Sequence, residues 1–328
     1  MKQNIAFLFD GTDMKMSDRS NIFKLYSLLK YGVLPAENET ELETKNKFVN
    51  YYEGPGSEFE EINGILFGKG FIHNIKCAYR DIANMALEDG VNLDESVLSL
   101  FGFSRGAYSA RVFSHILSEC GIPRDIDDCD GTVNAYLFDG KRDGFVNNIK
   151  VGKIDVLGLF DTVRSTAHPF PFDGKLASNV VKCFHAMAMD ENRLFFNLLK
   201  FDDAENSGKI DCQWFSGVHI DIGGGVKAAG KGLSNITLSW MIEKCSAEGV
   251  NFPKIVSLEK DSDFSNSAAD AIILPVESCA EITNNCDLPE ISARTYEGET
   301  LNSAVLKRIK LMGGKYATNL KEFVAKTV

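Results

Sequence analysis

A turn that places a serine between two glycines constrains this chain more than any other sequence feature. The apolar run 98–101 leads directly into Gly102-Phe-Ser-Arg-Gly106, and apolar residues at helical spacing follow. A serine that projects its hydroxyl from the end of a strand needs a sharp backbone turn, and small residues two positions before and after it let strand and helix approach. The pattern therefore predicts a strand, a tight turn and a helix, with Ser104 at the corner as a candidate nucleophile.

Apolar runs and helical patterns alternate along the rest of the chain. We predict strands at 5–9, 47–52, 97–103, 153–160 and near 212–217, and helices at 20–31, 72–88, 105–118, 180–189, 233–248 and 301–312. This alternation is typical of an α/β fold with a mostly parallel sheet and helices on both faces. Since no linker divides the chain, we predict one domain over 1–328, with loop-rich insertions near 121–150 and 255–300.

Polar residues follow the apolar strands, where ligands of open α/β sheets bind. A serine hydroxyl becomes nucleophilic only when a base takes its proton, and an acid must hold that base in the correct tautomer. After Ser104, the best acid at a strand end is Asp161, and His219 is the preferred base because it follows a strand and precedes three glycines. His185 and His168 remain alternative bases.

The Asp-Gly-Thr motif at 10–12 has two open interpretations. In the first, the N–H of Gly11 or Thr12 joins that of Arg105 in an oxyanion hole. In the second, Asp10 and Asp221 bind ATP phosphates, as in actin-like kinases. A phosphatase motif is excluded because leucine stands where its nucleophilic aspartate would be. In a hydrolase, Asp10 and Asp221 are candidate supporting carboxylates. Asp221 equally suits a purely structural role in the glycine turn at 223–225.

Charge and composition exclude several classes of protein. With a net charge of −11 over 328 residues and a pI near 5.1, the chain is neither a nucleic-acid binder nor a polybasic membrane binder, although transient contact with a lipid substrate is compatible with it. No signal peptide or membrane-spanning run is evident. The eight cysteines are scattered without zinc-ligand spacing, which predicts reduced thiols, a cytoplasmic location and no metal or cofactor. A protein exported by a signal-independent secretion system would have the same features.

Six motifs occur in an order that resembles a known family. They are Phe9-Asp-Gly-Thr12, Tyr51-Tyr-Glu-Gly54, Gly102-Phe-Ser-Arg-Gly-Ala-Tyr108 with Arg111, Gly158-Leu-Phe-Asp-Thr-Val163, His185-Ala-Met-Ala-Met-Asp-Glu-Asn-Arg193 and Trp214-Phe-Ser-Gly-Val-His-Ile-Asp-Ile-Gly-Gly-Gly225. Together they resemble the catalytic domain of the type VI secretion system phospholipase effectors, lipase class one. The resemblance implies an α/β-hydrolase fold and covers nearly the whole chain.

The resemblance also implies a serine acyl hydrolase that cleaves phospholipid esters, with its triad on Ser104, Asp161 and His219. A lipid or small ester is then the substrate, and an immunity or delivery protein is an expected partner. The loop 165–178, with Phe170 and Phe172, is a candidate lid or acyl-chain wall, and ordinary packing over the sheet is the alternative. The rival functions are the kinase-like fold and a non-catalytic interaction module built on a hydrolase fold.

Overall fold

The computed structural model contains one large parallel sheet and a separate pair of strands. It describes residues 2–35, 42–56, 66–163, 174–193, 196–225, 231–253, 255–258, 272–275, 300–303 and 305–306. The strands are β1 (Asn4–Phe9), β2 (Val49–Tyr52), β3 (Val97–Phe103), β4 (Ile154–Phe160), β5 (Val180–Ala188), β6 (Ile210–Phe215), β7 (Ile255–Leu258), β8 (Ile272–Pro275) and β9 (Thr300–Leu301). The large sheet has the order β2-β1-β3-β4-β5-β6-β9, all parallel, and β7 pairs with β8.

Helices cover both faces of the large sheet. They are α1 (Asn21–Tyr31), α2 (Leu66–Leu87), α3 (Arg105–Cys120), α4 (Cys129–Leu137), α5 (His219–Gly223) and α6 (Lys231–Ala247). Side chains alternate along β1, where Ile5, Phe7 and Phe9 pack with α2, α3 and α4, and Ala6 and Leu8 pack with α1 and α6. The predicted α/β fold with a parallel sheet and helices on both faces is confirmed.

The chain reverses its direction of strand addition beside β1. From β1 it passes to β2 on one side and then returns to β3 on the other, so β1 and β3 are neighbours. A crevice opens outside the carboxyl ends of two such strands, and this is the usual ligand site of open α/β sheets. Asp10 and Ser104 follow these two strands directly.

Three sequence expectations need correction. The segment 180–189, predicted as a helix, is strand β5, whose residues 183–188 are buried. A short apolar run buried on both faces has no alternation, so periodicity cannot separate it from a buried helix. The predicted loop insertion at 121–150 contains α4. The predicted helix at 301–312 begins later than expected, because Leu301 belongs to β9, whereas residues 303, 305 and 306 are helical. Most of the segment 255–300 lies outside the described residues, as do 307–312.

A helix that crosses a bilayer must be both long and continuously apolar. In the described part of the chain, no helix is both long and apolar enough to cross a membrane.

Candidate active site

Ser104 occupies a strained turn between β3 and α3. Its backbone has φ 57° and ψ −123°, a region that side-chain-bearing residues rarely adopt. A Cβ at Gly102 would lie 2.4 Å from the Ala107 Cα, and one at Gly106 would lie 2.2 Å from the Phe9 carbonyl oxygen. Only glycine permits these approaches, so the two glycines of the motif let α3 pack against β1 and β3 while Ser104 stands at the corner.

Asp161 and His219 form a buried pair at the ends of β4 and β6. The His219 Nδ1 lies 2.6 Å from the Asp161 Oδ2, and the other carboxylate oxygen accepts a hydrogen bond of 2.8 Å from the Ala188 N–H. The relative exposure is 0% for the aspartate and 5% for the histidine. Since the carboxylate holds Nδ1, the opposite ring nitrogen, Nε2, is the one placed to exchange a proton with a third group.

Backbone contacts bring Ser104 to this pair. The Ser104 N–H donates to the Phe160 carbonyl at 3.0 Å, and the Val163 N–H donates to the Ser104 carbonyl at 3.3 Å. The ring of Phe103 lies 4.7 Å from the ring of His219, centroid to centroid. Within the described residues, no hydrogen bond joins the Ser104 hydroxyl to the His219 ring.

The segment after β5 supports His219 from behind. The Glu191 Oε2 accepts a hydrogen bond of 3.1 Å from the His219 N–H, and Asp190 accepts one of 2.7 Å from the Gly217 N–H. The ring of Phe196 lies edge-on to the His219 ring at 4.9 Å. Burial alone would raise the pKa of Glu191, but hydrogen bonds from Arg193 and from the His219 N–H hold it below its usual value.

Sequence reasoning assigned no role to this supporting segment. A polar group directly after a strand was the signal that found the other site residues, and the segment 190–193 has the same signal. The helical interpretation of 180–189 removes this signal, because the polar residues 190–193 then do not follow the carboxyl end of a predicted strand.

The Asp-Gly-Thr loop packs against the serine turn. A Cβ at Gly11 would lie 3.4 Å from the Ser104 Cβ. Asp10 is buried and accepts hydrogen bonds from the Gly11 N–H at 2.7 Å, the Ser20 hydroxyl at 2.5 Å and the Tyr51 hydroxyl at 2.7 Å. Burial raises the pKa of Asp10 to about 6, although these three bonds oppose the shift. Asp10 therefore fixes the loop, and the Gly11 N–H is already used within it.

The remaining candidates have structural contacts or lie outside the described residues. The buried His185 accepts a hydrogen bond of 3.1 Å from the Thr162 N–H, and Asp221 accepts one of 2.9 Å from the Val218 N–H at the start of α5. His168, Phe170 and Phe172 fall in the undescribed segment 164–173. In the described ranges, no group of three or more His, Cys, Asp or Glu side chains is arranged to hold a metal ion.

Two solved structures are similar to this chain. A crystal structure of an uncharacterized protein from Pseudomonas aeruginosa is 17% identical, with 76% of this chain and 46% of that chain aligned and a TM-score of 0.42. A structure of the Tle1 effector bound to the VgrG spike of the type VI secretion system is 20% identical, with 71% and 53% aligned and a TM-score of 0.41. This chain thus spans about half the length of each. No curated protein matches it.

The family to which the chain belongs follows from its sequence. The model of the catalytic domain of Tle1-like phospholipase effectors of the type VI secretion system matches residues 3–138 and 139–244, well over half of the chain. The resemblance drawn from the six ordered motifs is confirmed, and the chain belongs to the Tle1-like phospholipase effector catalytic domain family.

Proposed function

We propose that this chain is a serine acyl-ester hydrolase that cleaves phospholipid ester bonds through an acyl-enzyme in a single catalytic domain. Its family is one of phospholipase effector catalytic domains. The observation that carries the proposal is the buried Asp161–His219 pair at 2.6 Å, beside the strained turn of Ser104. A carboxylate, an imidazole and a hydroxyl at one strand-end cluster are the groups that acyl transfer to serine requires.

The reaction proceeds in two halves. The His219 Nε2 takes the Ser104 proton as Oγ attacks the ester carbonyl, and Asp161 stabilises the resulting imidazolium through Nδ1. The imidazolium then protonates the leaving alcohol oxygen as the carbon–oxygen ester bond breaks, which leaves an acyl-serine. Water then attacks this ester while His219 takes one of its protons, and His219 gives that proton to the Ser104 oxygen as the bond between serine and acyl group breaks and the fatty acid leaves.

The tetrahedral intermediates need hydrogen-bond donors for their oxyanion. We assign this role to the backbone N–H of Arg105, at the N-terminus of α3, and that of Thr12, in the loop against the serine turn. The Gly11 N–H, the alternative donor from that loop, already donates to Asp10 at 2.7 Å. Of the two loop donors that the sequence left open, Thr12 is therefore the better one.

The proposed substrate lies in a membrane, so the enzyme must contact a bilayer surface transiently. Delivery by the type VI secretion system, through a spike protein of the VgrG kind, is part of this proposal because one similar structure is an effector bound to such a spike. A cell that makes such an enzyme also needs an immunity protein against it.

Side-by-side hydrolysis by the wild type and the Ser104→Ala variant tests the proposal. The substrates are a p-nitrophenyl butyrate solution and mixed micelles of dioleoyl phosphatidylethanolamine. Ser109→Ala is the matched control, because this buried serine lies on α3 and its hydroxyl donates to the Arg105 carbonyl at 3.2 Å. We expect activity on both substrates in the wild type and the control, and loss of both in Ser104→Ala.

Other outcomes contradict the proposal in separate ways. Activity on the short ester alone would retain the serine mechanism and remove the phospholipase. Activity that survives in Ser104→Ala would remove the serine mechanism. A thermal shift with Mg-ATP and no ester hydrolysis would support the kinase-like alternative. The absence of both the thermal shift and ester hydrolysis would favour a non-catalytic interaction module.

A further inference from the structure

A half-exposed cation lies one aromatic ring away from the proposed catalytic histidine. The guanidinium carbon of Arg193 is 3.6 Å from the ring centroid of Phe196, and that ring is 4.9 Å from the ring of His219. The Arg193 side chain is 52% exposed. The mechanism proposed above uses neither its charge nor its remaining N–H groups, so this residue needs a separate explanation.

The guanidinium is held in one orientation. The Arg193 Nε and Nη2 donate to the two carboxylate oxygens of Glu191 at 2.9 and 2.7 Å. The Glu191 side chain is only 1% exposed, so the carboxylate lies beneath and the cation faces outward. Within the described residues, no group accepts a hydrogen bond from Nη1, which leaves its two N–H groups available to a ligand.

Phosphate is the chemical group that best fits this position. A planar guanidinium donates N–H groups in a fixed fork that matches phosphate oxygens, and an oriented fork loses little entropy on binding. The chain has a net charge of −11, so an anionic substrate needs a local cation to enter the site. In a glycerophospholipid, only a few covalent bonds separate the phosphate from the ester carbonyl, so a cation close to His219 lies within reach of it.

We propose that Arg193 binds the phosphate of the phospholipid substrate and makes the site prefer phospholipids to neutral esters with the same acyl chains. This inference rests on the proposed function and adds the group that recognises its substrate. The inference also explains the arrangement of Glu191. Its Oε2 accepts hydrogen bonds from both the Arg193 Nη2 and the His219 backbone N–H. The bound phosphate and the catalytic base are thereby positioned by one carboxylate.

The test compares two substrates that differ only at the headgroup. Dioleoyl phosphatidylethanolamine and dioleoylglycerol are presented in the same neutral detergent micelles to the wild type, Arg193→Gln and Arg193→Lys. We expect the ratio of kcat/KM for the phospholipid over the diacylglycerol to fall about 10–100-fold in Arg193→Gln, the loss typical of a hydrogen bond to a charged group. Arg193→Lys keeps the charge without the fork, so its ratio should fall less.

Arg142→Gln is the matched control. Arg142 also pairs with a glutamate, Glu119, at 3.1 Å and stacks on an aromatic ring, that of Tyr136, at 3.6 Å. Glu119 lies at the end of α3 opposite the serine turn, so this cation is remote from the site. We expect the control to keep the wild-type ratio, and a reduced ratio in the control would overturn the assignment to Arg193.

Each remaining outcome is also decisive. Equal losses on both substrates in Arg193→Gln would overturn the inference, because the residue would then only position His219. An unchanged ratio in both Arg193 variants would overturn it as well. A wild type that hydrolyses neither substrate would instead contradict the proposed function. If Arg193→Gln does not fold, as judged by its thermal midpoint, the ratio in Arg193→Lys decides.

Discussion

Asp161 binds the imidazole of His219 through one carboxylate oxygen and the backbone of β5 through the other. The first contact is 2.6 Å to Nδ1 and the second is 2.8 Å from the Ala188 N–H. Two opposed contacts leave the buried carboxylate little freedom to rotate. The histidine therefore keeps its proton on Nδ1 and presents Nε2 as the basic nitrogen.

This geometry predicts the result of replacing Asp161 with asparagine. The amide favours the wrong tautomer of His219, so Asp161→Asn should lower kcat by roughly 10⁴-fold with little change in KM. Steady-state hydrolysis of p-nitrophenyl butyrate measures both constants. Asp155→Asn is the control, because Asp155 lies on the same strand but its carboxylate binds the Leu98 N–H. Loss of less than tenfold in Asp161→Asn would show that another group orients the base.

The backbone of Ser104 predicts an opposition between stability and activity. A non-glycine residue at φ 57° and ψ −123° costs of order 1–3 kcal/mol. Glycine adopts this region readily, so Ser104→Gly should be at least about 1 kcal/mol more stable than Ser104→Ala, while both are inactive. Urea unfolding of the two variants measures the difference. An alanine variant equal to or more stable than the glycine variant would show that the turn is unstrained.

A pair of glycines in neighbouring helices should respond to alanine in opposite ways. A Cβ at Gly106 would lie 2.2 and 2.4 Å from the carbonyl oxygens of Phe9 and Asp10. In the described part of the chain, one at Gly131 would meet no atom within 4 Å beyond its chain neighbours and its own helix backbone. Gly106→Ala should lower the free energy of unfolding by about 3 kcal/mol and abolish hydrolysis, because the turn must move away from β1. Gly131→Ala should raise it by about 0.5–1 kcal/mol. Thermal or urea unfolding tests both, and a tolerated Gly106→Ala would contradict the close packing of α3 on β1.

Local sequence patterns predicted the parts of the fold that depend on local chemistry. A sharp turn needs glycines at fixed offsets, and parallel strands bring their carboxyl ends to one edge. The approach of Ser104, Asp161 and His219 therefore followed from recognising three strand ends. The pairing of His219 with Asp161 across 58 residues is a tertiary contact, and its 2.6 Å geometry required the structure.

The missed support of His219 has a different physical cause. Residues 183–188 of β5 are buried, so the alternation that identifies a half-exposed strand is absent. Asp190 and Glu191 follow the carboxyl end of β5, but a helical interpretation of β5 gives no reason to place them at the site. The preference for the Thr12 N–H over the Gly11 N–H as the proposed oxyanion donor also depends on tertiary structure, because it rests on the hydrogen bond from Gly11 to Asp10.

The buried carboxyl of Asp10 predicts a pH dependence of stability. Burial raises its pKa from 3.8 to about 6, so the folded state holds this proton more tightly than the unfolded chain does. The stabilising contribution is complete below pH 4 and is lost as the pH rises through 6. A shift of this size is worth up to about 3 kcal/mol. The free energy of unfolding of Asp10→Asn, which cannot ionise, should therefore rise by about 3 kcal/mol relative to the wild type between pH 4 and pH 8.

Asp203 supplies a control of opposite sign. Burial opposes its ionisation, but hydrogen bonds from the Leu176 N–H and from Asn206 hold its pKa below the usual value. Its contribution to the free energy of unfolding is present above the pKa that Asp203 has in the unfolded chain. That contribution is lost as the pH falls through the lower pKa of the folded state. The free energy of unfolding of Asp203→Asn should therefore fall relative to the wild type as the pH rises from 3. The free energy of unfolding of Asp10→Asn should instead rise relative to the wild type as the pH increases. A difference between Asp10→Asn and the wild type that stays constant from pH 4 to pH 8 would show that Asp10 does not titrate in this range and that burial does not raise its pKa to about 6.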